Sequence, residues 1–330
     1  MKNKIALDPP RIENNQFVEG FSNCLRKRGF EIADGSYWDF GLRDCRCLII
    51  HWPRVFMGGA GRRKAIPRLY RLKILKALFG FKIVWVAHNA VDHDKDGLSP
   101  IWKDFTSIID GVIYLSKSSK RIIELESPQL ENKKYVVVPH GIYHFDKMPA
   151  LRNSSSNSKR LINFGLIRPY KGLEVLIKAM ENVEPSSVEL MICGKIFDED
   201  HAENLKKMAS ETSNVKCVFF ERGLTESELN DYIDSADGVV LPYRNILNSG
   251  SAIHSLSRYR PVLVPAKGSM PELQEQVGRE WVHLFDGEII SSDLSRFCKS
   301  IPKNNKRPNL ADFEWDKIGA NIETFINSLN

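Results

Sequence analysis

Two short segments of this 330-residue chain place cations or small polar residues where an apolar run gives way to a helix start. The first is Phe164-Gly165-Leu166-Ile167-Arg168-Pro169-Tyr170-Lys171-Gly172-Leu173. Gly165 lets the chain turn sharply, and Arg168 and Lys171 fall where a helix N-terminus already favours an anion. A guanidinium forking onto phosphate oxygens beside a lysine point charge suits a diphosphate. The second is Leu241-Pro242-Tyr243-Arg244-Asn245-Ile246-Leu247-Asn248-Ser249-Gly250-Ser251-Ala252. Asn248, Ser249 and Ser251 are capping residue types, Gly250 permits close backbone approach, and the amides of residues 249–252 would form an anion cradle. Taken singly, the first also fits a solvated turn and the second an ordinary helix cap. The pair together points to phosphate.

A second group of residues points to an acceptor. His51 and His88 each close an apolar run, so two neighbouring strands would present imidazoles at one edge, with Asn89 beside the second. A packed, hydrogen-bonding histidine is the alternative for either. Asp92, His93, Asp94 and Asp96 follow as a polar loop that either supplies a proton-accepting base or is simply solvated. The stretch 45–91 holds no Asp or Glu and ten cations: Arg46, Arg54, Arg62, Arg63, Lys64, Arg68, Arg71, Lys73, Lys76 and Lys82. A field of one sign attracts phospholipid, lipid diphosphate or nucleic acid. Nucleic acid would account for the charge but not for paired phosphate loops, and no aromatic-interleaved platform accompanies it. After the glycine-rich loop 58–61, Ile66, Leu69, Leu72, Leu75, Leu78 and Phe79 recur at helical spacing among the cations. That helix is expected to lie on an anionic membrane surface, with Arg62, Arg63, Lys64 and Arg68 on the acceptor and membrane side; an ordinary core stripe is the alternative.

The elements that must position these residues read as α/β. The length suggests two domains of roughly 150 residues, and 42% hydrophobic with 27% charged residues is a globular composition. No apolar run approaches the roughly 20 residues of a membrane span, and the N-terminus lacks a signal-peptide pattern, so a cytoplasmic, membrane-peripheral protein is expected. The six cysteines (24, 45, 47, 193, 217, 298) form no CxxC pair and are expected as buried thiols rather than metal ligands. Strands are predicted at 4–7, 47–51, 82–87, 111–115 and 135–138, with helices at 16–28, 66–79 and 116–125 between them. A Ser/Asn run at 150–159 is the best linker. The rhythm restarts with strands at 160–164, 188–193, 215–219, 238–241 and 261–264, and helices at 172–182, 202–210, 225–236 and 251–257. The expected architecture is two Rossmann-like domains, 1–150 for acceptor and 151–311 for donor, with a cleft between them. An amphipathic helix at 312–330 is expected to pack back on the first.

Gly165, Pro169, Lys171 and Gly172, then Ala236-Asp237, Leu241-Pro242-Tyr243, Pro261-Val262 and Lys267-Gly268-Ser269-Met270-Pro271-Glu272, stand in the order and spacing of a known pattern. Through them the chain resembles the GT-B glycosyltransferases, specifically the retaining family that includes sucrose synthase and bacterial mannosyltransferases, in a divergent exopolysaccharide-type branch. The match covers residues 160–275 well and the first 150 loosely, through His51-Trp52-Pro53, His88-Asn89 and Pro139-His140-Gly141. The family's arginine falls at Leu166, with Arg168 two residues on, and its two donor-loop glutamates fall at Leu247 and His254. The resemblance implies sugar transfer from a UDP- or GDP-sugar to a glycan or lipid-diphosphate-linked acceptor. Arg168 and Lys171 would neutralise the departing diphosphate, and His88 would touch the transferred sugar. Gly165, Tyr243, Asn248, Ser249, Gly250, Ser251, His254 and Glu272 would hold the donor. With no Asp-x-Asp pair ending a predicted strand, neither metal nor cofactor is expected beyond the nucleotide sugar. A catalytically degenerate GT-B subunit and a sugar-nucleotide epimerase are the alternatives.

Overall fold

The computed structural model describes residues 3–13, 15–36, 38–57, 62–89, 99–145, 148–149, 158–184, 186–302 and 306–329. They form two compact units, residues 1–141 with 311–330 and residues 142–310. The division falls after Gly141, ahead of the Ser/Asn run, most of which (150–157) lies outside the described residues, as do the loops 58–61 and 90–98.

The first unit alternates β1 (Lys4–Asp8), α1 (Gln16–Lys27), β2 (Glu31–Asp34), β3 (Cys45–Ile50), α2 (Arg54–Met57), α3 (Arg62–Phe79), β4 (Lys82–Ala87), α4 (Pro100–Ser107), β5 (Gly111–Tyr114), α5 (Lys117–Glu126) and β6 (Lys134–Val137). The strands pair in parallel in the order β2-β1-β3-β4-β5-β6. Such a sheet is covered on both faces, which is why its strands read as unbroken apolar runs. The chain turns one way from β1 to β2 and the other way from β3 onward, so the switch lies between β1 and β3.

The second unit repeats the plan with β7 (Lys159–Phe164), α6 (Leu173–Glu181), β8 (Val188–Lys195), α7 (Glu199–Ser210), β9 (Val215–Phe220), α8 (Glu226–Ser235), β10 (Gly238–Val240), α9 (Gly250–Ser257), β11 (Val262–Pro265), α10 (Met270–Val277), β12 (Val282–Phe285) and α11 (Ser291–Ser300). Its parallel order β12-β11-β10-β7-β8-β9 puts the switch between β7 and β10. The periodicity had shown neither β2 and α4 in the first unit nor the last α-β-α segment of the second; these are short elements fixed by their sheets.

The chain then returns through α12 (Trp315–Ser328) to the first unit. Ile318, Ile322, Phe325 and Ile326 join Phe17, Phe21 and Leu25 of α1 in one core over Ile5, Leu7, Cys47, Ile49, Val84 and Val86. Trp315 seats the helix. A Cβ on Gly20 or Gly141 would come within 2.3 or 2.2 Å of its indole, so only glycines allow that ring between them.

The basic helix α3 differs from its sequence reading. Ala65, Leu69, Leu72 and Leu75 are buried core, while Ile66, Tyr70, Ile74 and Leu78 form a separate exposed stripe. The helix is apolar on two sides, and the sequence count had merged them into one. Nor is every cation free of an acid, because the fold brings Asp110 within 2.7 Å of Lys76. Arg63, Lys64, Arg68 and Arg71 stay exposed.

Trp315→Ala should cost about 3–5 kcal/mol, the usual price of emptying a buried aromatic site. Hydrogen exchange should show the loss in β1, β3 and α1 but not in β7–β12. Uniform protection in the variant would contradict this packing account.

Candidate active site

At the β7–β10 switch of the second unit the two predicted phosphate segments touch. Ligands of open parallel sheets bind at this edge. After β7 the chain still follows β8, with Gly165 N donating to Cys193 O (3.1 Å) and Ile167 N to Lys195 O (2.9 Å). Gly165 has φ 110°, and a Cβ there would lie 2.7 Å from Lys171 Nζ; one on Gly194 would lie 1.7 Å from Gly165 O. Two glycines therefore let the Lys171 ammonium sit beneath the turn. It donates to Phe164 O at 3.0 Å and lies 5.6 Å from the centre of the Tyr243 ring. Burial draws its pKa down to about 8, Arg168 pushing the same way and Cys193 opposing. Such a lysine is short of counter-charge, which an arriving diphosphate would supply. Arg168 stacks its guanidinium 3.6 Å over the exposed ring of Phe197, an aromatic of the β8–α7 loop that the sequence reading passed over.

The loop after β10 closes on this turn. Gly172 (φ 67°) has no room for a side chain, since a Cβ would meet Pro242 O at 2.4 Å. Arg244 N donates to Tyr170 O at 3.0 Å, and the Arg244 guanidinium lies 3.7 Å from the Glu174 carboxylate. Tyr243 donates its hydroxyl to Ser251 Oγ (3.3 Å), and Ser249 caps α9 by accepting from Ala252 N at 3.1 Å. The N-terminal amides of α9, with Gly250 among them, thus open beside Tyr243, which itself lies against Lys171. Asn248 precedes the cap in the same loop. A third turn buttresses it: a Cβ on Gly268 (φ 57°) would lie 2.3 Å from Ile246 O, and Ser269 N donates to Leu247 O at 2.9 Å. Glu272 stands in the first turn of α10, directly after this contact.

His254 is placed differently from the ribose contact that the sequence suggested. It is buried, its Nε2 bonds Asn230 Oδ1 at 2.8 Å, and Tyr143 and Phe145 stack on it at 4.5 and 5.3 Å. As positioned, its ring serves the packing of α9 against α8.

In the first unit the strand ends gather three imidazoles. His51 Nδ1 and His88 Nε2 are 3.2 Å apart, one donating to the other. Trp52 stacks on His88 at 4.5 Å, and Phe17 of α1 packs against His51, His88 and His140. His140 Nδ1 bonds Gly141 O at 2.9 Å. His51 Nε2 is buried with no partner among the described residues. Burial holds His51 at about 3 and His140 at about 4, and His88 also lies well below the usual range through burial, His51 and His140. The cluster is neutral at physiological pH and orients hydrogen bonds rather than supplying charge. Asn89 follows His88; the acidic loop with Asp92, His93, Asp94 and Asp96, and the side chain of Arg62, lie outside the described residues. Arg63, Lys64 and Arg68 sit on exposed positions of α3, not among the imidazoles.

Sequence reading missed Asp8. It ends β1 beside the switch, and its backbone oxygen accepts from His51 N at 2.9 Å. Its Oδ2 accepts from Trp38 Nε1 at 2.8 Å, and burial raises the carboxyl to about 6. An acidic residue closing an apolar strand was the available signal, but nothing local distinguishes it from a strand-ending turn.

The histidines make a stability prediction. Their folded pKa values lie below the unfolded one, so their contribution is complete above pH 6.5 and is lost as pH falls toward 4, at about 1.4 kcal/mol per unit for each. Asp8 acts oppositely between about 4 and 6, but it is one group against three. Denaturant titrations should therefore show the first unit losing stability from pH 7 to 5, and His140→Asn should flatten that slope; an unchanged slope would contradict burial of a neutral His140.

Comparison with known proteins bears on the fold and the family of the second unit. Residues 145–253 match the family Glycosyl transferases group 1. The chain is 26% identical over 323 residues to a GDP-mannose:glycolipid 4-beta-D-mannosyltransferase of Xanthomonas campestris pv. campestris, covering 95% of this chain and 87% of that one. Among solved structures, the lipopolysaccharide outer core galactosyltransferase WaaB superposes with a TM-score of 0.68 at 12% identity, over 98% of this chain and 99% of that one. Sucrose-phosphate synthase from Thermosynechococcus elongatus gives 0.61 at 15% identity, over 99% and 94%. At such identities the superpositions speak for the fold alone, and the fold is two Rossmann-like units. The chain is a glycosyltransferase with a group 1 domain on the GT-B architecture.

Proposed function

We propose that the protein transfers mannose from GDP-mannose to a hydroxyl of a lipid-linked glycan, in a bacterial-type polysaccharide or glycolipid synthesis. What supports this reading is the contact of the two loops at the β7–β10 switch, which brings Lys171 against Tyr243 and Tyr243 against Ser251 at the start of α9, with Arg168 in the same turn as Lys171. The donor and acceptor classes are taken from the mannosyltransferase that the chain resembles over 95% of its length. As the C1–O bond to the diphosphate breaks, negative charge grows on the leaving oxygen. Arg168 and Lys171, aided by the α9 amides, neutralise it. Two cations do what a divalent metal does elsewhere, so transfer proceeds without one.

The acceptor's lipid portion fits the first unit. Ile66, Tyr70, Ile74 and Leu78 are exposed one turn apart on α3, with Arg63, Lys64, Arg68 and Arg71 among them, and the exposed Phe40 packs its ring 5.9 Å from that of Phe79 at the helix end. No described helix is long and apolar enough to cross a membrane. Instead this face would rest on the anionic cytoplasmic leaflet, each cation contributing about 1 kcal/mol.

Nucleotide binding, transfer kinetics and vesicle sedimentation test the reading. GDP should raise the melting temperature more than UDP or dTDP, and transfer from GDP-mannose should persist in EDTA. Arg168→Ala and Lys171→Ala should each lower kcat about a hundredfold or more, and donor KM should climb as pH passes about 8, where Lys171 loses its proton in the empty site. No stabilisation by any nucleoside diphosphate would sink the proposal. For the membrane face, Ile74→Glu with Leu78→Glu should abolish sedimentation with phosphatidylglycerol vesicles while leaving GDP affinity intact; equal sedimentation of the double variant would exclude α3 as the contact.

A further inference from the structure

We propose that Phe197 is a positioning residue of the second unit's anion site, whose ring holds the Arg168 guanidinium ready for the donor diphosphate; the assignment rests on the glycosyl-transfer reading above. The backbone sets the pair. Beyond the end of β7, Ile167 and Ile196 still pair in parallel, with Ile167 N donating to Lys195 O at 2.9 Å and Ile196 N to Phe220 O at 2.8 Å. Ile167 is buried in the core of this unit, and Ile196 packs against the same core. Successive side chains of extended chain alternate in direction, so Arg168 and Phe197 leave their strands on the opposite side and meet there. Both are anchored from the next residue on. Pro169 keeps Arg168 extended (φ −137°, ψ 147°), and Asp198 after Phe197 caps α7 by accepting from His201 N at 2.9 Å.

The guanidinium carbon of Arg168 lies 3.6 Å from the centre of the Phe197 ring. The ring is 59% exposed, so it adds little to the core. An exposed phenylalanine alone carries no meaning, but this one is laid against a cation of the anion site.

Electrostatics gives the contact a purpose. Arg168 and Lys171 share one turn, and the charge of the first helps to draw down the pKa of the second. With no anion bound, their repulsion drives the longer and more exposed side chain outward. A carboxylate could restrain it, but only by cancelling the charge that a diphosphate needs and by competing with that diphosphate. The face of an aromatic ring attracts a cation without neutralising it. Stacking also uses the flat face of a guanidinium and leaves the N–H groups at its edge to fork onto phosphate oxygens. Lys171 is treated in the same way, with its ammonium 5.6 Å from the centre of the Tyr243 ring. An arginine already held in place has less rotamer freedom to lose when the anion arrives.

The test measures affinity for GDP and for inorganic pyrophosphate by calorimetry, alongside transfer from GDP-mannose. Phe197→Ala should weaken both ligands about tenfold, lower kcat/KM for GDP-mannose in parallel, and leave the melting temperature unchanged because the ring is mostly exposed. Phe197→Leu keeps apolar bulk without a ring face and should bind as poorly as the alanine variant. Phe197→Trp offers a stronger face and should restore most of the affinity. In an Arg168→Ala background, Phe197→Ala should weaken pyrophosphate by less than about twofold more, since the ring acts only through the arginine. Wild-type affinity for pyrophosphate in Phe197→Ala overturns the proposal, as does full rescue by leucine. An equal loss with Arg168 already removed overturns it too, and so does a loss for GDP without one for pyrophosphate, which would place the ring against the nucleoside. If the pyrophosphate pattern holds but wild type transfers from no nucleotide sugar, the functional reading fails while the positioning of Arg168 stands. If wild type binds neither GDP nor pyrophosphate, both fall.

Discussion

Gly172 carries no side chain, and the carbonyl oxygen of Pro242 occupies the place a Cβ would need. That contact joins the loop after β7 to the loop after β10, the two that flank the point where the second sheet reverses its order. Much else in the unit serves it. Gly165 and Gly194 remove the bulk that would displace Lys171, Arg244 bonds across to Tyr170, and Gly268 presses the third turn against Ile246 and Leu247. A larger residue at any of these glycines would part the cations from the helix start. An anion site made of backbone amides and two side chains loses strength quickly with such separation, since its field falls off within a turn of the helix.

The first unit repeats the sheet plan with different electrostatics. Among the described residues its strand ends carry neutral imidazoles and one carboxyl of raised pKa. One cause acts on all of them: burial disfavours the charged form, which lowers the imidazoles and raises the Asp8 carboxyl. The switch edge of the second unit carries Lys171 and Arg168, whereas that of the first presents imidazoles held neutral by burial. The cost falls on stability: His51 Nε2 has no partner among the described residues, and the histidines make the unit sensitive to acid.

α3 shows how one helix serves two surfaces. Its buried face closes the first sheet through Leu69, Leu72 and Leu75, while Ile66, Tyr70, Ile74 and Leu78 face out among exposed cations. Lys76 has turned inward to Asp110 and Ile108 O, so the charge that remains outside is gathered toward the helix start and middle.

The sequence by itself determined the alternating strands and helices, the two-unit plan and the strand-to-helix turns at 164–173 and 241–252. It could do so because these depend on local signals: apolar runs, caps and glycines where a chain must turn. It determined Arg168, Lys171 and the Ser249–Gly250–Ser251 start of α9 for the same reason, each lying within a few residues of a strand end. Only tertiary structure decided the rest. His254 is spaced to face a ligand, yet Asn230, Tyr143 and Phe145, distant in the chain, claim its ring. Apolar spacing on α3 could not say which of two stripes met the core, since a helix apolar on both sides has no single preferred face. Asp8 read as the end of a strand, because what raises its pKa is burial beside Trp38, and burial is a property of the packed fold rather than of the residue.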